Sequence, residues 1–86
     1  MSIEDKCRKK NIELQKHLQI EIDNVKNGIS NKNLEQLYGI MDELKKVLDN
    51  KKVVLFFPRI IVDSWDFQDE LGNELLDFEE LYRRWK

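Results

Sequence analysis

Eighty-six residues without a Pro/Gly/Ser-rich linker leave room for one domain, spanning 1–86. A core of that size is only just adequate, a shortfall that small chains often meet by pairing with another subunit, so a homo-oligomer is one expectation. Hydrophobic residues at 41% and charged residues at 37%, with three Gly and one Pro, exclude collagen-like and low-complexity chains and suit a helical bundle.

The net charge of −2 is unevenly spread: residues 1–33 carry seven basic against five acidic side chains, and residues 60–86 carry three against eight. Between Asp63 and Glu80 every charge is negative. With Cys7 as the only cysteine no internal disulfide forms, and Met1 to Lys6 lacks the apolar stretch of a secretory signal, so a soluble protein in the reducing cytoplasm is expected. The apolar runs Val53 to Phe57 and Ile60 to Val62 fall well short of the ~20 residues that span a bilayer, and no membrane segment is expected.

In chain order, Ile3, Cys7, Leu14, Leu18, Ile22 and Val25 recur at spacings that place them on one face of a first helix. Ile12 and Ile20 fall outside this stripe and suggest a second contact surface. Asn27-Gly28 supplies a left-handed stop, and Ser30, Asn31 and Asn33 are competent caps for the next helix. That second helix carries Leu34, Leu37, Tyr38, Met41, Leu44 and Leu48 on one face, which predicts an antiparallel hairpin with the first. Gly39, inside it, is a candidate helix crossing.

Periodicity stops deciding between Lys51 and Val62. The β-branched and aromatic run suits a short β-hairpin or extended segment around 52–62, and it equally suits an extension of the second helix as far as Pro58. After it, Asp63, Ser64 and Asp66 offer caps to a last helix with Phe67, Leu71, Leu75, Phe78, Tyr82 and Trp85 on one face. Its acidic start and its Arg83-Arg84-Lys86 finish complement the helix dipole, while Gly72-Asn73 is a candidate break. The expected fold is therefore mainly α, a small three-helix bundle made of an N-terminal antiparallel hairpin and an acidic C-terminal helix, with α+β as the alternative should 52–62 be extended.

Catalytic chemistry finds little to work with. The single histidine, His17, stands ten residues from Cys7, about 15 Å along a straight helix, and Gly28, Gly39 and Gly72 are too scattered for a phosphate loop. No catalytic residue, cofactor or metal is assigned, and the chain is expected not to be an enzyme. Glu13, His17 and Glu21 line up along one side of the first helix, a pattern that reads as a solvated flank rather than a metal site.

The acidic third is the better candidate. If 63–80 is continuously helical, Asp63, Asp66, Glu70, Glu74 and Asp77 form a stripe beside the aromatic ridge, with Trp65 and Trp85 as candidate hot spots. The simplest explanation of that ridge is the core face of the last helix with a wet acidic edge. The functional expectation is a regulatory or inhibitory module that binds another protein of basic surface through this edge. The alternative is a dimeric nucleic-acid-associated regulator using Lys6, Arg8, Lys9, Lys10 and Lys16; Glu4, Asp5 and Glu13 dilute that patch, so nucleic acid is the weaker partner.

Overall fold

Ser2 begins the first helix: its Oγ accepts the backbone N–H of Asp5 at 3.1 Å, satisfying one of the donors that a helix start leaves open. From there the computed structural model, which describes residues 2–49, 54–66 and 68–85, runs α1 (Ile3–Lys26), α2 (Leu34–Asp49), α3 (Phe57–Ser64) and α4 (Glu70–Trp85). Gly28 ends α1 at φ +76°, with its own N–H on the Val25 carbonyl (3.1 Å) and that of Ile29 on the Asn24 carbonyl (2.8 Å). A side chain with a Cβ is strained at that φ, which is why glycine stands there. Asn33 caps α2 through Oδ1 to the Gln36 N–H at 3.1 Å.

Among the described residues four helices replace the expected three, and there is no strand. The undecided segment accounts for the difference. Residues 50–53 lie outside the described residues, 54–56 are irregular, and Phe57 opens a helix of 8 residues in which Pro58 takes an early position that needs no N–H donor. Phe56, at the cap, brings no capping side chain. The cap comes instead from α2, where Glu43 Oε1 accepts the N–H groups of Phe56 and of Phe57, the latter at 3.3 Å. A carboxylate at that end also answers the positive pole of α3, whose own first turn has no acid.

α3 stops at Trp65, whose backbone is extended at φ −100° and ψ 153°, so the last helix does not begin at Asp63 or Asp66 as its caps suggested. Asp69 starts it: Oδ1 accepts the Gly72 N–H at 2.9 Å. Gly72-Asn73 does not break α4. A Cβ on Gly72 would lie 3.2 Å from both Ile61 Cγ2 and Trp65 Cε3, so glycine there allows α3 to lie close against α4. No such contact exists at Gly39, where a Cβ would meet nothing within 4 Å; the crossing expected there is absent. Phe67, expected on the core face of the last helix, lies outside the described residues.

α1 packs against α2 and α4, and α3 packs against the same two helices from the opposite side. Named contacts fix the directions. Asn11 reaches Leu44 while Lys26 lies over Tyr38; Glu43 meets Phe57 while Trp65 meets Gln36; His17 meets Glu74. The chain thus alternates up, down, up, down around a common core, with a short third helix. At about 1.5 Å per residue the 24 residues of α1 make about 36 Å, which sets the 39 Å long dimension.

The core is Cys7, Leu14, Leu18 and Ile22 of α1, Leu37, Ile40, Met41, Leu44 and Val47 of α2, Phe57 and Ile61 of α3, and Leu75, Phe78 and Tyr82 of α4. Since α2 lies between α1 and α3, its buried arc takes in Ile40 and Val47; Tyr38, about 100° around the helix from Leu37, is left 46% exposed. Among the described residues one polar side chain is enclosed. Asn11 fills the gap in the α1 stripe between Cys7 and Leu14, donating from Nδ2 to the Leu44 carbonyl (2.8 Å) and accepting from Gln15 Nε2 (2.7 Å). Asn11→Ala should therefore cost about 1–2 kcal/mol of unfolding free energy in urea titration, for lost packing and a half-satisfied carbonyl. No measurable loss would contradict this role.

Candidate functional site

The acidic residues singled out above divide between elements. Asp63 is exposed on α3, and Asp66 is exposed in the α3–α4 turn, where its Oδ1 accepts the Gln68 N–H at 2.9 Å. Glu70, Glu74 and Asp77 share one side of α4 and run along its seam with α1. The break at Trp65 prevents all five from forming a single helical stripe.

Along that seam α1 and α4 are antiparallel, and two clefts open between them. The first, about 430 Å³, is lined by His17, Ile20, Glu21, Asp69, Glu70, Leu71 and Glu74. It combines four carboxylates with two apolar side chains, and Ile20 is 59% exposed. His17 Nδ1 lies 2.8 Å from Glu74 Oε2, bridging the two helices, whereas Glu70 makes no ion pair among the described residues. The Glu13, His17 and Glu21 row is dispersed over different neighbours, and no group of three or more His, Cys, Asp or Glu among the described residues has metal-ligating geometry.

Beneath this cleft lies an ion network that sequence reading misses. Lys32, in the α1–α2 loop, places Nζ 3.1 Å from Glu21 Oε2 and 2.7 Å from Asp69 Oδ2, and 5.2 Å from the centre of the Trp65 ring. The three charged side chains are only 17–19% exposed. Burial by itself would lower the Lys32 ammonium, but hydrogen bonds to Asp69 and Glu21, and their charges, outweigh it and hold the group above its ordinary value. For Asp69 burial works in the upward direction; hydrogen bonds from Lys32 and the Gly72 and Leu71 backbone, with the Lys32 charge, prevail and hold the carboxyl below its ordinary value. No sequence signal ties Lys32 to residues eleven before and thirty-seven after it. The Asp69 cap, three residues before Gly72, is a legible pattern.

The second cleft, about 490 Å³, lies toward the other end of the seam and is lined by Lys6, Lys9, Lys10, Glu13, Asp77, Phe78, Glu80, Leu81 and Arg84. Among the described residues Lys6, Lys9 and Lys10 make no ion pair, while Arg84 pairs with Glu80 at 3.5 Å. Arg8 pairs with Glu4 at 3.6 Å and does not line the cleft, nor does Lys16. The basic start of α1 is thus interleaved with three carboxylates.

Both tryptophans are partly buried against the core. Trp65 Nε1 donates to Gln36 Oε1 at 3.2 Å, and Trp85 packs edge-on to Tyr82 with ring centres 6.0 Å apart. Cys7 is buried, which pushes its thiol up, the reverse of what activates a nucleophile. Among the described residues no helix is long and apolar enough to cross a membrane. No protein-family model, curated protein or solved structure matches this chain.

Proposed function

We propose that the chain is a non-enzymatic protein-interaction module, regulatory or inhibitory in effect, that binds a basic segment of another protein along the acidic side of α4. The observation that supports this most directly is the cleft in which Glu70 and Glu74 flank Ile20 and Leu71. An arginine or lysine side chain has the matching construction, an aliphatic stem under a charged head. Because Lys32 already neutralises part of the charge of Glu21 and Asp69, and His17 holds one oxygen of Glu74, Glu70 is the carboxylate most directly on offer, with Glu74 beside it. Asp63, Asp66 and Asp77 extend the negative field beyond the cleft and would speed encounter with a positive partner. The reading includes a reducing, cytoplasmic setting, which suits the buried free thiol of Cys7.

Nucleic acid is the alternative, favoured by Lys6, Lys9 and Lys10 of the second cleft, which make no ion pair among the described residues, and opposed by Glu13, Asp77 and Glu80 in the same lining. A labelled helical peptide of arginine and leucine tests the first reading. Its affinity, followed by fluorescence anisotropy, is expected to fall at least about tenfold when Glu70, Glu74 and Asp77 are all changed to Lys, with helical circular dichroism unchanged. Equal affinity for wild type and variant would sink the proposal.

A further inference from the structure

α3 carries an apolar face that no helix among the described residues covers. Its inner side holds Phe57 and Ile61, both buried. At 100° per residue, Phe56, Arg59, Val62 and Asp63 fall within an arc of about 120° on the opposite side. Phe56 is 69% exposed and Val62 70%, and Val54, just ahead of the helix, is 59% exposed. Leaving two large apolar groups in water on so short a helix is costly, and covering them is favourable.

The two charges on this face point to what covers it. Arg59 and Asp63 stand four residues apart, yet neither makes an ion pair among the described residues. A basic residue N-terminal to an acidic one is the weaker order for such a pair within a helix. Laid antiparallel against a copy of itself, the face becomes self-complementary, because a two-fold axis reverses the order of the charges. We propose that α3 pairs with α3 of a second copy about such an axis, Arg59 of each chain meeting Asp63 of the partner subunit, with Phe56 and Val62 enclosed between them. α3 lies across the bundle from α1, so this pairing leaves the α1–α4 clefts open and does not depend on the function proposed for them. One short helix with its flanks offers less than the roughly 800 Å² per partner of a stable complex, so the dimer should be weak, with a dissociation constant on the order of 100 µM.

Sedimentation equilibrium of the full chain up to about 1 mM tests this. Wild type is expected to dimerise with rising concentration. Arg59→Asp alone and Asp63→Arg alone should each weaken dimerisation at least about tenfold, because like charges then meet across the axis. The double exchange, Arg59→Asp with Asp63→Arg, should dimerise more tightly than either single variant but short of wild type, because an acid four residues ahead of a base now also pairs within its own helix. Val62→Glu is expected to leave only monomer. A wild-type monomer throughout the range would overturn the proposal and leave the face to a different protein; so would a dimer indifferent to both single reversals, or a double exchange no better than either.

Discussion

Phe57→Ala should remove about 3–4 kcal/mol from the unfolding free energy, as judged by urea titration, whereas Phe56→Ala, one residue away, should cost less than about 0.5 kcal/mol. Phe57 is fully enclosed and Phe56 is 69% exposed. Truncating the first leaves a cavity of benzyl size where α3 meets the core, while truncating the second removes surface already in water. For a chain of 86 residues the whole stability is on the order of 4–13 kcal/mol, so the first change alone removes from about a quarter to nearly all of it. The measurement belongs at low micromolar concentration, where the α3 pairing does not contribute. Similar costs at both positions would contradict the helical register of 57–64.

The second large effect is expected from Lys32→Ala, at about 1–3 kcal/mol at neutral pH. That is less than the loss for a fully buried pair, because the side chains involved keep 17–19% of their exposure and some screening by water. The variant leaves Glu21 and Asp69 facing one shared site without their cation, and strips the Trp65 ring of its charged neighbour. The pH dependence identifies the cause. Asp69 is held below the ordinary carboxyl value of 3.8, so its contribution is present above that value and is lost as pH falls through the lower folded value. Lys32 is held above 10.5, so its contribution is present below that value and is lost as pH rises through the higher folded one. Wild type and Lys32→Ala should therefore differ most between these limits and converge as pH falls below 3.8 and through the lowered folded value of Asp69. A difference independent of pH would assign the loss to packing alone.

Much of this architecture is legible in the sequence because α1, α2 and most of α4 obey one rule, an apolar residue every three or four positions. Asn27-Gly28 marks the end of α1, since few residue types supply a left-handed stop, whereas Ser30, Asn31 and Asn33 are all competent caps and the structure uses Asn33. The segment around α3 is opaque for a physical reason. Its apolar residues run together, so no face stands out, and the choice of helix rests on Glu43, a tertiary partner 13 residues ahead of Phe56. The expected acidic stripe required one helix through 63–80, and the extended backbone at Trp65 divides it. Asn11 reads as an interruption of the α1 stripe until the Leu44 carbonyl is seen beside it.

Site geometry was less accessible than fold. Glu70 and Glu74 were identifiable by charge, and Ile20 by its displacement from the core stripe, but their convergence in one cleft depends on the register between α1 and α4. Lys32 carries no local sign of its role, since its two carboxylate partners come from the far end of α1 and from the cap of α4.

The most direct test of the central proposal is a nitrogen–proton correlation spectrum of the chain titrated with the arginine–leucine peptide. The account predicts progressive shifts in the amides of residues 17–21 and 69–74, lost in the Glu70→Lys/Glu74→Lys variant and reduced by added salt. Shifts confined to residues 6–10, or no shift at any peptide concentration, would contradict it.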